Sequence, residues 1–173
     1  MKTTLYVFLL AFGLTIAASS FGQNTPVAND TLKLLVTNAN NYHKKLFLVF
    51  GWQGCSWCRL FDKYHSDSAV HAILDKYMVI AKADIYKSKA GADLYKTYGK
   101  EGTPSWTIFG ANGEVLADSD NGKGNVGYPA EADEIAHYLK ALKIAAPGIS
   151  EPECAILADK LKDYRNKKSQ IIK

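Results

Sequence analysis

The 173 residues fall in the usual range of one domain and are long enough to bury one substantial core. A formal net charge of +4, with charges interspersed along most of the length, gives no argument for a nucleic-acid partner. Three cysteines are too few for a disulfide scaffold, and no internal repeat or low-complexity segment is present.

Lys2 precedes an uncharged apolar run from Leu5 to Ala18, which at about 1.5 Å per residue covers roughly 21 Å, short of the roughly 30 Å of a bilayer core. That pattern is a secretory signal peptide rather than a membrane anchor. Small residues at Ser20 and Gly22 suit cleavage before Gln23, and no cysteine stands there to take a lipid. The expected organisation is a signal peptide over 1–22, one α/β domain over 23–146 and a helical extension over 147–173. Export removes Lys2, implies a periplasmic or secreted location without stable membrane insertion, and allows disulfides to persist.

From Asp30 the residues Leu32, Leu35, Val36, Ala39 and Tyr42 recur at helical spacing, with Asn29 or Asp30 as cap. Leu46 to Phe50 is a continuous apolar run ending at Gly51, which reads as a strand buried on both faces. Leu60, Phe61 and Tyr64, then Val70, Ile73, Leu74 and Tyr77, mark two helices broken at Ser66-Asp67-Ser68. Tyr77 to Ile85 is a second strand. A helix with Leu94, Tyr95 and Tyr98 ends at Gly99, expected as a left-handed terminator. Trp106 to Phe109 and Glu114 to Ala117 form a hairpin through Asn112-Gly113. Glu131 to Ile144 is a last helix of this unit, with Ile135, Tyr138, Leu139 and Leu142 on one face. After Pro147-Gly148, the pair Ser150 and Glu153 is a capping box that opens a further helix. Its basic end, with Lys160, Lys162, Arg165, Lys167, Lys168 and Lys173, is explained by a solvated helix face.

Cys55 and Cys58 are separated by two residues directly after a buried strand. That placement puts Cys55 at the amino end of the next helix, where unpaired N–H groups and the helix dipole stabilise a thiolate. Cys55 is then the nucleophile, and Cys58, within one turn, is the resolving thiol that attacks a mixed disulfide and releases the substrate. A c-type haem would need His where Arg59 stands. Zinc would need two further ligands, for which His65 and His71 are the nearby candidates across a helix break. A purely structural disulfide would close too small a loop to stabilise much. No metal is expected, and the redox pair is the only cofactor. The four histidines are read as surface or helix-face groups, and Cys154 as a buried small residue.

Tyr98 to Phe109, which contains Gly102-Thr103-Pro104, followed by Asn112-Gly113-Glu114-Val115, resembles the second half of thioredoxin. With Phe50 and Cys55 to Cys58, the resemblance covers roughly residues 30–145, and the helix break makes the chain most similar to small exported thioredoxin-like domains. It implies a thioredoxin-like sandwich with a central mixed sheet, a cis-Pro loop at Thr103-Pro104 and an added C-terminal helix. It further implies disulfide exchange with protein or peptide thiols and disulfides, supplied by a membrane electron donor. Thr103, Pro104 and Gly127, which falls where thioredoxins have a loop glycine, would bind substrate together with a solvent-facing Trp57, read equally as a substrate contact or a capping ring. Trp52 and Trp106 are expected in packing roles.

Two departures bear on direction, for which reduction or isomerisation is favoured. Ser56-Trp57 replaces Gly-Pro between the cysteines, and Val49 stands where thioredoxins carry an acid. Lys82 falls on the lysine that neighbours that acid. If its ammonium is unneutralised, it joins Ser56 and Arg59 in tuning the pair and raises the potential above the roughly −270 mV of thioredoxin, towards the roughly −180 mV of protein disulfide isomerase. If it reaches solvent or another acid, the effect vanishes. Two other functions fit the same residues: a non-catalytic binding module using the Pro104 groove, and electron hand-off to one dedicated partner.

Overall fold

The computed structural model describes residues 30–171, so the signal peptide and the Gln23 start lie outside the described residues. In chain order the elements are α1 (Asp30–Asn41), β1 (Lys45–Gly51), α2 (Ser56–His65), α3 (Ser68–Leu74), β2 (Met78–Asp84) and α4 (Lys89–Tyr98). There follow β3 (Ser105–Phe109), β4 (Val115–Asp118), α5 (Ala132–Ala145), α6 (Glu151–Asn166) and the short α7 (Lys168–Ile171). The sheet order is β2-β1-β3-β4. β1 and β2 run parallel, joined through α2 and α3, whereas β3 is antiparallel to β1 and β4 to β3. This is a thioredoxin-like α/β sandwich with a mixed sheet.

Side-chain alternation along β1 divides the interior in two, because successive residues of a strand point to opposite faces. Phe47 and Val49 join α2, α3, α5 and α6 in the larger core, with Leu60, Phe61, Trp106, Tyr138 and Leu142. Leu46, Leu48 and Phe50 enter the smaller core under α1 and α4, with Leu32, Val36 and Leu94. α6 lies against α2, α3 and α5, and its Cys154, Leu157 and Leu161 belong to the larger core. The helix after Pro147-Gly148 therefore shares the interior of the sandwich.

Local chemistry sets the boundaries. Asp67 caps α3 by accepting from the Ala69 and Val70 N–H groups, and this separates α3 from α2. Ser150 and Glu153 form the capping box of α6, and Glu131 and Glu134 form another on α5. In the β3–β4 hairpin the Gly113 N–H donates to the Gly110 carbonyl at 3.1 Å. Gly99 is extended rather than left-handed, with φ −70° and ψ 161°; it is glycine at a place where a Cβ would meet the Tyr95 ring. Tyr42, expected on the buried face of α1, is 62 % exposed because the helix ends before it.

His65 is not a surface group. It sits in the larger core among the rings of Phe47, Phe61 and Tyr64, with Nε2 3.5 Å from the Tyr138 hydroxyl and no partner for Nδ1. The spacing that puts Phe61 and Tyr64 inward carries His65 inward too. Burial, and secondarily the Lys82 charge, pushes its pKa down to about 3. The unfolded chain therefore binds one proton more than the folded chain between that value and roughly 6.5, so this contribution is full above pH 6.5 and is lost as pH falls. Denaturation at pH 7, 6 and 5 should show stability falling with a slope approaching about 1.4 kcal/mol per pH unit. His65→Phe, which keeps the ring packing, should flatten that slope; an unchanged slope would show that another group carries it.

Candidate redox site

The apolar pattern of β1 ends at Gly51, and the chain crosses a short loop into α2. Cys55 is the N-cap of that helix, with extended backbone angles, and its Sγ accepts from the Cys58 N–H at 3.0 Å. The two cysteines form a disulfide with Cα atoms 5.2 Å apart. Relative exposure does not rank the sulfurs, at 8 % for Cys55 and 7 % for Cys58. Position does: only Cys55 Sγ occupies the cap, where a backbone donor and the helix dipole favour negative charge. Cys58 lies one turn in, against β1, and a Cβ at Gly51 would stand 2.9 Å from its Sγ. Glycine is required there by the close approach of the strand to the sulfur.

The Thr103-Pro104 peptide bond is cis, and the Thr103 carbonyl oxygen lies 3.5 Å from Cys55 Sγ. A second loop holds this one in place. The Asn125 side chain donates to the Pro104 carbonyl at 3.0 Å and accepts from the Gly127 N–H at 3.0 Å, and the Trp106 indole donates to the Gly127 carbonyl at 2.9 Å. Gly127 has φ +58°, and a Cβ on it would stand 2.8 Å from the Pro104 oxygen, so both conformation and space demand glycine. Thr103, Pro104, Gly127 and Trp57 thus line one groove of about 540 Å³ beside the disulfide. Trp106 is fully buried, whereas Trp52 is 41 % exposed and meets Tyr86 edge to face at the rim.

Trp57 is half-buried rather than fully solvent-facing. Its ring is stacked on Tyr128 at 5.6 Å, and the Lys168 ammonium stands 3.1 Å from its centroid. The Tyr128 hydroxyl in turn donates to the Leu161 carbonyl of α6 at 2.6 Å. Lys168, assigned by its charged neighbourhood to a solvated face, is here packed on an aromatic ring.

Lys82 is not an unpaired cation either. Its Nζ lies 2.6 Å from Asp62 Oδ1 on α2, with both side chains about half exposed. Val49 is indeed the cross-strand partner of Lys82, so the sheet position opposite the lysine is apolar. The missing negative charge comes instead from the overlying helix, and the raised potential expected from a lone ammonium loses its basis. Asp62 and Lys82 border a cavity of about 470 Å³ that also reaches Val49, Gly51, Cys58 and Arg59. Arg59 donates to the Gln53 carbonyl at 3.2 Å, across the loop that precedes Cys55, and Ser56 opens the first turn of α2. Asp62, Asn125, Tyr128 and Lys168 escaped the sequence reading. Asp62 carries a weak signal, one turn after Cys58 on the same helix, and the other three carry none.

Cys154 is buried and free, and burial raises its thiol pKa. Among the described residues no three His, Cys, Asp or Glu side chains gather as a metal site, and no helix is long and apolar enough to cross a membrane.

No protein-family model matches the chain, and no curated protein does. Among solved structures, it is similar to a disulphide isomerase from Xylella fastidiosa Temecula1, with 19% identity over 91% of this chain and 99% of the other and a TM-score of 0.48. It is also similar to a thioredoxin-fold protein from Helicobacter pylori, with 18% identity over 74% of this chain and 86% of the other and a TM-score of 0.45.

The Asp62–Lys82 pair sets up a charge cycle readable as redox potential. Lys82→Met leaves a carboxylate near Cys58, disfavours thiolates and should lower the potential; Asp62→Asn leaves an ammonium and should raise it. Shifts of roughly 10–30 mV are expected, where 30 mV corresponds to about 1.4 kcal/mol. The double variant should return close to wild type. Equilibration with glutathione reads all four proteins, and single variants that move together would refute the pairing.

Proposed function

We propose that this chain is an exported thiol:disulfide oxidoreductase that reduces or isomerises disulfides of other exported proteins through Cys55 and Cys58. The observation that carries the reading is a disulfide whose first sulfur caps a helix and faces the Thr103 carbonyl beside an open groove. A structural crosslink between residues three apart stabilises little, because the loop it closes is short. A donor–acceptor geometry that favours one thiolate over the other has a use only if the bond opens.

In the reduced protein, the Cys55 thiolate attacks one sulfur of a substrate disulfide. The S–S bond breaks, the other substrate sulfur leaves as a thiolate and takes a proton, and Cys55 is joined to the substrate. The Cys58 N–H that donates to Cys55 Sγ stabilises that thiolate before attack. Cys58, deprotonated, then attacks Cys55 Sγ, which expels the second substrate thiolate and reforms the disulfide. Two electrons have passed to the substrate, and a dithiol donor, which we place at the membrane, returns them by the same exchange in reverse. For isomerisation the substrate's own thiol displaces Cys55 instead, with no net transfer. The periplasmic or secreted location rests on the apolar leader at residues 5–18.

Trp57, Thr103, Pro104 and Gly127 are the groove residues that an extended substrate would meet. The residue before the proline offers backbone to an incoming strand, the mode in which main-chain bonds supply affinity and neighbouring pockets supply choice.

Reduced protein should reduce insulin or a model peptide disulfide, with one disulfide formed per substrate bond broken. Cys55→Ser should lower the rate at least a hundredfold, whereas Cys58→Ser should retain attack and accumulate mixed disulfides visible by mass. Trapping by the Cys55 variant would reverse the roles, and a wild-type protein inert towards both disulfides and small thiols would refute the enzyme.

A further inference from the structure

α6 runs past the core that it helps to build and reaches the redox site. It is anchored on the α2–α3 junction: Lys160 and the Tyr164 hydroxyl both donate to Asp67 Oδ2, at 2.8 and 3.2 Å, while Asp67 Oδ1 caps α3. From the same stretch onward three contacts point at the groove. The Leu161 carbonyl receives the Tyr128 hydroxyl, Arg165 pairs with Glu131, and Lys168 of α7 lies over the Trp57 ring. Arg165 and Glu131 are themselves groove residues, with Thr103, Pro104 and Gly127 across from them in the lining. Trp57, the second of the two residues between the cysteines, is therefore held by Tyr128 and by a cation, and both holders depend on the C-terminal segment.

We propose that this C-terminal arm, from Leu161 to Lys168, is a specificity-determining wall of the redox site. It keeps the Trp57 ring seated on Tyr128, so that the Cys55 side is approached through the groove by an extended polypeptide segment and is closed to a disulfide on the surface of a compact folded protein. The inference rests on the thiol:disulfide reading above and adds its substrate class: cysteines in unfolded or extended chain. Three features support a wall rather than a chance surface contact. The arm is tied down at the α2–α3 break, where Asp67 accepts from both Lys160 and the Tyr164 hydroxyl. Its two basic residues near the groove are engaged with Glu131 and Trp57 rather than with water alone. Tyr128, the ring beneath Trp57, follows directly on Gly127, which Asn125 bonds to the Pro104 carbonyl, so arm, tryptophan and cis-Pro loop form one connected assembly. A cation over an indole is attracted by the ring's negative face, and replacing the ammonium with an apolar end removes that attraction while keeping the stem.

The test is a ratio of rate constants, measured on the reduced protein with a folded protein bearing a surface disulfide and with bis(2-hydroxyethyl) disulfide. Wild type, Lys168→Met, Lys168→Arg and a chain ended after Lys167 are compared, with thermal unfolding recorded for each. The ratio of folded-protein to small-disulfide rates should rise at least fivefold in Lys168→Met and in the shortened chain, and should stay within twofold of wild type in Lys168→Arg, which keeps the cation. A ratio that does not move in Lys168→Met and the shortened chain overturns the wall, including the case in which both rates fall together with the unfolding temperature. Lys168→Arg behaving like Lys168→Met overturns the role of the cation over Trp57. Absence of exchange between wild type and the small disulfide is a separate result: it refutes the oxidoreductase reading itself and takes the wall with it.

Discussion

Burial of β1 on both faces is the constraint on which the rest depends. A strand with apolar side chains on both sides needs helices above and below it, and the alternation of Phe47 and Val49 with Leu46, Leu48 and Phe50 decides which helices share which core. It also needs strands on both edges, supplied by β2 in parallel and β3 in antiparallel register. The cysteine pair sits where this most constrained strand gives way to a helix. Cys58 is pressed against Gly51 at the end of the strand, and Cys55 occupies the first position at which backbone donors are unpaired. The rigidity of the strand thus becomes precision in the placement of two sulfurs.

The groove beside the disulfide is assembled differently, from loops that hold one another. Pro104 takes its position from Asn125, Asn125 also receives the Gly127 N–H, and Gly127 receives the indole of Trp106 in the core. The Trp106 indole N–H is buried and would otherwise be unsatisfied, and with the two part-buried Asn125 bonds it ties the loops at residues 103 and 127 to one geometry. The larger core reaches the same place through Tyr128 and Trp57, so helix packing and groove shape are coupled.

Charge in this site is distributed by tertiary contact rather than by position along a strand. The cation of Lys82 is met by a carboxylate one helix away, and because both groups are about half exposed their interaction is screened and modest. His65, by contrast, is neutral in an aromatic core where a charge would be costly, and Lys82 nearby adds to that cost. One lysine thus pairs with a carboxylate at its tip and bears on a buried imidazole.

Strand and helix identity, the break at Asp67, the capping boxes and the cysteine pair at a helix start were legible in the linear pattern, because period, caps and a two-residue spacing are local properties. Gly127 and Pro104 were legible only through resemblance, since their pairing spans more than twenty positions. What the chain order could not contain is which side chains meet across elements: Asp62 with Lys82, Asn125 with Pro104, and Lys168 with Trp57. A lysine in a basic stretch reads as solvated, and a histidine reads as a surface group, until packing decides what lies against it. By itself the sequence determined where each element runs and where the sulfurs stand on them. Tertiary structure decided the company those sulfurs keep, because electrostatic and ring contacts depend on distances that only the folded core establishes.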